Sequence, residues 1–284
     1  MIQRDSRAIS VGDTPAGERA ARAVRLPEPW ASAAITVVMP TYNESDNLPT
    51  ILGALFALPL PALRVLVVDD NSPDGTGDLA EQLARDEYGP DRLSVLHRPG
   101  KQGLGRAYVD GIGHALDQGA DYVVQMDADL SHPPEAVPQM LGTLLSTEAD
   151  VVIGSRYATG GELAENWSLH RKALSAWANF YVRVLLRMRI RDVTAGFKIW
   201  RRQTLRSIDV AGITSNGYAF QVEMNYRTVR CGLKIVEVPI RFEERRDGHS
   251  KMNLGVQVES ALMPFKLRRH LPRLGTGRPP TSNR

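Results

Sequence analysis

The alternation of short apolar runs with helical stretches constrains the fold of this chain more than any other feature. Five runs rich in β-branched residues are predicted strands, at 35–39, 65–68, 93–96, 122–126 and 151–153. The segments that separate them include four predicted helices, at 44–57, 75–88, 103–117 and 134–146. Strands that alternate with helices of this length predict an α/β fold with a parallel sheet.

The pattern changes after residue 155. A long basic amphipathic stretch at 168–188 and a mixed segment precede a strand-like run at 235–242 and a helix candidate at 253–269. The amphipathic stretch fits either a helix packed on the sheet or a helix lying at an anionic membrane surface. We predict a flexible leader (1–30), one domain (31–270) and a flexible basic tail (271–284). The domain divides at about residue 155 into two halves, 34–155 and 156–270.

Composition excludes several classes of protein. No apolar run reaches the roughly 18–20 residues that cross a bilayer, so we do not expect a transmembrane protein. The single cysteine, Cys231, excludes an internal disulfide framework and a cysteine-based zinc cluster. The first residues lack the apolar core of a signal peptide, which favours the cytoplasm.

Positive charge is concentrated in two segments. The formal net charge is only +3, but residues 167–206 contain ten Lys or Arg and one acid, Asp192. From residue 264 onward there are six Lys or Arg and no acid. We therefore expect an anionic surface or substrate at these segments.

Acidic residues follow three of the predicted strands. The sequences after the first, second and fourth strands are PTYNE (40–44), DDNSPDGT (69–76) and DADLSH (127–132). Ligands of open α/β sheets bind beyond the carboxyl ends of the strands, so these carboxylates are expected at one site. Crowded carboxylates favour a hard divalent cation such as Mg²⁺ or Mn²⁺, for which Asp127 and Asp129 are the best candidates. Asp74 is interpreted instead as a helix cap.

A glycine-rich segment, RPGKQGLGRA (98–107), follows the third strand. It lacks the Gly-Lys-Ser/Thr ending of a P-loop and the spacing of a dinucleotide-binding motif, which disfavours kinase and dehydrogenase functions. Its backbone either serves an anion at the start of a helix or forms an ordinary turn, and the sequence leaves both open.

Taken in order, nine blocks resemble the dolichol (polyprenol) phosphate mannose synthases, which are family 2 inverting glycosyltransferases with the GT-A fold. The blocks are VVMPTYNE, VVDDNSPDGT, GKQGLGRAYVDG, DADLSHPPE, GSRY, HRKALS, DVTAGFK, GYAFQVEM and VPIRFEERRDGHSKM, spread over about 35–252. The resemblance implies a single GT-A (Rossmann-like) domain with a mostly parallel central sheet flanked by helices. It also implies that 34–155 is a nucleotide-sugar half and that 156–270 is an acceptor or membrane-facing half. Ser131 departs from the pattern, because many relatives have Gln there, and this puts a metal contact from that side chain in doubt.

The resemblance also implies residue roles. The residues of the donor site would be Pro40, Tyr42, Glu44, Asp69, Asp70, Lys101, Gly103, Asp127, Ala128, Asp129, Arg245 and Lys251. The catalytic group within that set would be Asp127, Asp129, Arg245 and Lys251, with Asp127 and Asp129 holding Mg²⁺ or Mn²⁺. The acceptor phosphate would contact Arg156, Arg171 and Ser175. His132 and His170 are interpreted as packing or capping residues.

These roles imply transfer of mannose from GDP-mannose to a polyprenyl (dolichyl-type) phosphate, with inversion. A phosphate monoester is already anionic near neutral pH, because its second pKa is about 6, so no strong general base is required. Expected partners are GDP-mannose, the polyprenyl phosphate, and a membrane surface or a membrane-embedded subunit, with no nucleic acid. The enzyme is expected in the cytoplasm, peripherally associated with the cytoplasmic face of a membrane.

Alternative functions remain at this stage. One is a polyprenol phosphate glucosyltransferase that uses UDP-glucose. Motifs do not distinguish it from a mannosyltransferase, because they do not show the orientation of one sugar hydroxyl. A polysaccharide-extending transferase is disfavoured, because its usual acceptor motif and membrane spans are not evident. The basic pI of about 9.1 also suggests a nucleic-acid-binding protein. Acidic strand ends at the expected ligand site argue against it, because they would repel a phosphate backbone.

Overall fold

The computed structural model describes residues 28–163, 169–243 and 262–269, with only the backbone given for 169–172. Most of the predicted leader, the predicted tail, and the predicted site residues Arg245 and Lys251 lie outside these ranges. Trp30, the last residue of the predicted leader, packs on the core beside Gly142.

Seven strands form one mixed sheet. The strands are β1 (Ile35–Thr41), β2 (Leu63–Asp69), β3 (Leu93–His97), β4 (Tyr122–Gln125), β5 (Val151–Ser155), β6 (Lys198–Arg201) and β7 (Ile235–Pro239). Their order across the sheet is β3-β2-β1-β4-β6-β5-β7. Only β6 runs antiparallel to its neighbours, β4 and β5, and the other pairs are parallel. The predicted α/β fold with a mostly parallel sheet is therefore confirmed.

Helices connect the strands and cover both faces of the sheet. They are α1 (Leu48–Phe56), α2 (Thr76–Leu83), α3 (Leu104–Asp117), α4 (Ala136–Ser146), α5 (Leu169–Leu186), α6 (Arg202–Ser207) and α7 (Gly217–Arg230). A π-helical turn (Ala84–Tyr88) extends α2, a 3₁₀ turn (Val210–Gly212) follows α6, and a further short helix covers 262–269. Within the described ranges, no helix combines the length and the apolar character needed to span a membrane.

Two apolar layers enclose the sheet because its strands are apolar on both faces. One layer joins β1 residues such as Val37 to α1, α2 and α4, and the other joins β1 Val38 to α3 and α7. A third cluster joins α5 and α7 to the helix at 262–269 through Val182, Val222 and Met263. Strands buried on both faces are typical of parallel sheets with helical crossovers.

The predicted helix at 44–57 begins later in the structure. α1 starts at Leu48, because Asn43 has a positive φ of 61° and Glu44 begins a turn whose carbonyl accepts bonds from Asn47 and Leu48. The amphipathic stretch predicted at 168–188 is α5, and its helix ends at Leu186. The strand predicted at 235–242 is β7, which ends at Pro239.

Candidate active site

The carboxyl ends of the parallel strands meet at one edge of the sheet. In register, Thr41 at the end of β1 lies beside Asp69 of β2, which lies beside His97 of β3. β4 is parallel to β1 and ends at Gln125, two residues before Asp127. The structure therefore brings the three acidic segments predicted from the sequence to one edge.

Asp127 is held from both its side chain and its backbone. The buried hydroxyl of Tyr108 donates to Oδ1 of Asp127 at 2.7 Å, and the Tyr108 ring stacks on Phe220 at a centroid distance of 5.7 Å. The backbone N–H of Asp127 donates to Nδ1 of His132 at 3.1 Å. His132 is buried and stacks on Phe197, which agrees with its predicted packing role. The carboxylate therefore has a defined position before any ligand binds.

Asp129 is buried two residues further on. Its Oδ1 accepts bonds from the backbone N–H of Ser131 at 3.1 Å and from the Ser131 hydroxyl at 2.6 Å. Leu130 between them has a positive φ of 61°, so the turn is tight. Ser131 thus supports the second carboxylate.

The donor set at this turn fits a divalent cation that also binds substrate phosphate. Among the described residues, no three His, Cys, Asp or Glu side chains surround one point. Asp127 and Asp129 place two carboxylates on this one turn. Mg²⁺ is commonly bound in this way, by one or two carboxylates with substrate phosphates and water completing the shell.

Asp69 and Asp70, predicted to bind the nucleoside, anchor the loop that they begin. Asp69 accepts bonds from the hydroxyl of Thr41 at 3.1 Å and from the backbone N–H and hydroxyl of Ser72 at 3.1 and 2.5 Å. Asp70 forms a buried ion pair with Arg98, whose Nε donates to Asp110 at 2.9 Å. Burial raises the pKa of Asp70, and Arg98 opposes this effect. Both carboxylates thus fix the shape of the edge.

Asp74 has the capping contacts expected from the sequence. Its carboxylate accepts bonds from the backbone N–H and hydroxyl of Thr76, the first residue of α2, and from the backbone N–H of Ser45. Burial alone would raise the pKa of Asp74, but these hydrogen bonds lower it below its ordinary value. The loops after β1 and β2 are joined by this residue.

Tyr42 and Lys101 form the exposed part of the predicted donor site. The Lys101 ammonium lies 3.6 Å from the centroid of the Tyr42 ring, although the two residues follow different strands. Pro40 lies within β1, and the backbone N–H of Glu44 donates to the Thr76 hydroxyl. These residues lie at the edge that also holds Asp127, whereas Ala128 is buried between the two site carboxylates.

The glycine-rich segment forms a packing turn. Gly103 has a φ of 101°, and a Cβ there would lie 2.9 Å from Oδ1 of Asn216. A Cβ on Gly105 would collide with the carbonyl of Ser215. The glycines therefore let the start of α3 approach the residues that precede α7, which favours the turn interpretation over a dedicated anion site.

Arg156 emerges at the same edge from the end of β5, but its guanidinium is already paired. Its Nε and one terminal nitrogen donate to the two oxygens of Asp192, which is fully buried, at 2.8 and 2.7 Å. Burial lowers and Asp192 raises the pKa of Arg156, and the net shift is upward. Together with His132, Gly196 and Phe242, Arg156 lines a small cavity.

The other predicted acceptor residues lie on α5. Ser175 accepts a hydrogen bond from the hydroxyl of Tyr157 at 2.8 Å, which connects α5 to the loop after β5. Arg171 lies in the first turn of α5, four residues before Ser175, and its side chain is outside the described residues, as is that of His170.

Several residues at this site were not singled out from the sequence. They are Tyr108, Arg98, Asp192, Lys198 and Gln221. Each lies inside or beside a block that was recognised, but its partner is distant along the chain. The only sequence signal was membership of those blocks.

Comparison with known proteins agrees with this geometry. The description of the family that matches residues 36–209 is glycosyl transferase family 2. The chain is 46% identical over 228 residues to an undecaprenyl-phosphate mannosyltransferase of Micrococcus luteus, covering 80% of this chain and 91% of the relative. It is also 46% identical over 226 residues to a polyprenol monophosphomannose synthase of Mycolicibacterium smegmatis, covering 80% and 83%.

A solved structure shares the fold. Glucosyl-3-phosphoglycerate synthase of Mycobacterium tuberculosis, in complex with Mn²⁺, uridine diphosphate and glucosyl-3-phosphoglycerate, aligns with a TM-score of 0.62. The alignment covers 86% of this chain and 82% of that chain at 20% identity. The matched family covers more than half of this chain and two relatives are 46% identical, so the predicted resemblance is confirmed: this protein belongs to glycosyl transferase family 2.

Proposed function

We propose that this protein transfers mannose from GDP-mannose to a polyprenyl phosphate, with inversion at the anomeric carbon. The observation that carries this proposal is the 46% identity, over four-fifths of the chain, to two proteins named for mannose transfer to undecaprenyl phosphate and for polyprenol monophosphomannose synthesis. The donor nucleotide and the stereochemistry come from the family resemblance.

The donor diphosphate would lie at Asp127 and Asp129. Asp127 and Asp129 would hold a divalent cation, which would supply neutralisation of the negative charge on the departing diphosphate. The Tyr108 and Ser131 hydrogen bonds hold the carboxylates in place, so little reorganisation accompanies binding. The Mn²⁺ of the solved relative supports Mg²⁺ or Mn²⁺ as the cation. Pro40, Tyr42, Glu44, Lys101 and Gly103 would contact the nucleoside and its phosphates.

The acceptor phosphate would attack without a general base. Its oxygen is already charged near neutral pH, so the chain needs to orient it and to offset its charge. Arg171 and Ser175 on α5 are the proposed contacts, together with Arg156, Arg245 and Lys251. Because Nε and one terminal nitrogen of Arg156 already donate to Asp192, only its other terminal nitrogen would be available to the phosphate. Its main contribution would be a fixed positive charge at the edge of the cavity.

A surface on α5 fits an enzyme whose acceptor is a lipid. Four residues at helical spacing expose large apolar side chains: Leu174, Trp177, Phe180 and Val184. We call these residues the apolar face of α5. The helix at 262–269 packs on α5 through Met263 and Leu267 and exposes Leu262 and Phe265 next to it.

Basic residues border this face. Exposed cations on the helix at 262–269 and just after α5 are Arg187, Arg189, Lys266, Arg268 and Arg269. Aromatic residues combined with Lys and Arg favour the surface of an anionic bilayer. The apolar face of α5 would therefore hold the enzyme at the membrane, where the polyprenyl chain lies, on the cytoplasmic side.

The membrane contact predicts a large loss of vesicle binding in the double variant Trp177→Ser/Phe180→Ser. The two exposed side chains are 59% and 62% accessible, so their loss leaves the core intact. Each contributes about 1.5–3 kcal/mol when buried in lipid, so partitioning to anionic vesicles should fall by at least about a hundredfold when both are lost. Sedimentation with vesicles measures it, and Ala176→Ser on the same helix is the matched control. Undiminished binding would mean that another surface, or a partner subunit, makes the contact.

The donor assignment is tested by offering both candidate donors together. GDP-mannose and UDP-glucose, each labelled in its sugar, would be added at equal concentration to purified protein, Mg²⁺ and polyprenyl phosphate in detergent. We expect label from GDP-mannose alone in the lipid fraction. Label from UDP-glucose alone would keep the acceptor chemistry and replace the proposed donor.

A further inference from the structure

Lys198 is a buried cation without a carboxylate partner among the described residues. It lies at the start of β6, is 0% exposed, and belongs to no ion pair in the described ranges. Its ammonium donates to the side-chain Oε1 of Gln221 at 2.9 Å and to the Gln221 carbonyl at 3.3 Å. Burial lowers the pKa of Lys198 to about 7, and the charge of Asp192 opposes this effect.

A lysine in this environment destabilises the fold. Desolvation of an ammonium is only partly offset by bonds to neutral oxygens, and an apolar residue of similar volume packs without that penalty. Such a residue in a core points to a role other than stability. The contact with Gln221 indicates what that role is.

Lys198 fixes which way the Gln221 carboxamide points. An ammonium is only a donor, so the oxygen of Gln221 must face it and the NH₂ group must face away. Within the described part of the chain, that NH₂ group makes no hydrogen bond. A Cβ on Gly196 would lie 3.6 Å from this nitrogen and 3.6 Å from Oδ2 of Asp127.

The missing side chain of Gly196 leaves a small space next to these two groups. His132 bounds it as well, because the same Cβ would lie 3.3 Å from its Cε1. The space therefore adjoins an N–H donor from Gln221 and an oxygen acceptor from Asp127, whose other oxygen accepts from Tyr108. A hydroxyl group matches both, because it accepts one hydrogen bond and donates another.

We propose that Gln221, positioned by Lys198, donates a hydrogen bond to a hydroxyl of the transferred sugar in the space beside Gly196 and Asp127. Gln221 is then a specificity-determining residue and Lys198 a positioning residue that acts through it. This inference rests on the proposed function, which supplies the sugar. Phosphate is the poorer occupant, because it offers no proton to the Asp127 carboxylate.

The test uses a paired apolar variant, Lys198→Met/Gln221→Met, in the full-length protein. Replacing both partners removes the hydrogen bond and leaves no buried charge, so the melting temperature should stay the same or rise. Calorimetry with Mg²⁺ should give an unchanged affinity for GDP. The kcat/KM for GDP-mannose should fall about tenfold, as expected for one lost hydrogen bond to the sugar.

A second variant separates orientation from packing. Gln221→Glu keeps an oxygen toward Lys198 and turns the contact into an ion pair, so a merely structural residue would tolerate it. We expect a stable protein that loses mannosyl transfer at least as severely as the paired variant does, because the N–H that donates to the sugar is replaced by an acceptor oxygen beside Asp127. Gln203→Glu, exposed on α6, is the matched control and should transfer mannose normally.

Three results would overturn the inference. Variants that transfer mannose as the parent does would show that the pair only packs. If the paired variant loses as much affinity for GDP as it loses in kcat/KM, the substitutions act on nucleotide binding and not on the sugar. A parent protein that transfers no mannose would overturn the proposed function itself, and with it the sugar named here, whatever the variants do.

Discussion

Replacing Asp129 by Asn should lower mannosyl transfer about a thousandfold, comparable to the loss of one preorganised electrostatic group in other enzymes. The neutral amide would bind the divalent cation more weakly than the carboxylate, so the charge of the diphosphate would be less well neutralised. Folding should be preserved, because the Asn oxygen still accepts the bonds from the N–H and hydroxyl of Ser131. The measurement is the rate of mannosyl lipid formation in saturating Mg²⁺.

The matched control for this variant is Asp117→Asn. Asp117 is an exposed carboxylate at the end of α3, remote from the strand ends, and its loss should leave the rate unchanged. A rate within about tenfold of the parent for Asp129→Asn, with an unchanged melting temperature, would contradict the metal assignment.

Replacing Arg156 by Ala should lower the free energy of unfolding by about 3–5 kcal/mol, because it leaves the carboxylate of Asp192 buried and unpaired. Asp192 is 0% exposed and accepts bonds from the backbone N–H of Arg156 and from two guanidinium nitrogens. Urea denaturation measures the change.

A surface ion pair gives the comparison. Arg85 in the π-helical turn and Glu81 in α2 are separated by 3.4 Å, and their side chains are 65% and 46% exposed. Because water screens an exposed pair, Arg85→Ala should cost far less than Arg156→Ala. If Arg156→Ala costs no more than Arg85→Ala but abolishes use of the lipid acceptor, Arg156 acts on the acceptor phosphate and not on the fold.

Most of the sheet was predictable because its strands carry a strong local signal. The first five predicted strands correspond to β1 to β5. Four of them, β1, β2, β4 and β5, are β-branched runs that are buried on both faces, whereas β3 at the edge of the sheet is only partly buried. β6 was missed because its four residues include the buried Lys198, whose burial depends on a distant partner, Gln221. α7 was missed because residues around its whole circumference are buried, so it lacks the amphipathic period that indicates a helix.

The acidic residues of the site were predictable, but their contacts were not. The positions of Asp127 and Asp129 after a buried strand indicated a shared edge. Ser131 and His132 support them locally, but Tyr108 comes from α3, and a local pattern carries no information about such a distant pair. For Asp70, the ligand contact stays a prediction, and the structure adds an ion pair with Arg98 that shapes the same edge and that the sequence did not indicate.

The mass of the lipid product tests the central claim most directly. The purified protein, GDP-mannose, Mg²⁺ and a polyprenyl phosphate of known length would be incubated in detergent, and the lipid extract analysed by mass spectrometry. The account predicts a new species heavier than the acceptor by one hexose residue, which disappears when EDTA is added. A lipid that stays unmodified while native membranes are also present, or a product that forms equally in EDTA, would contradict it.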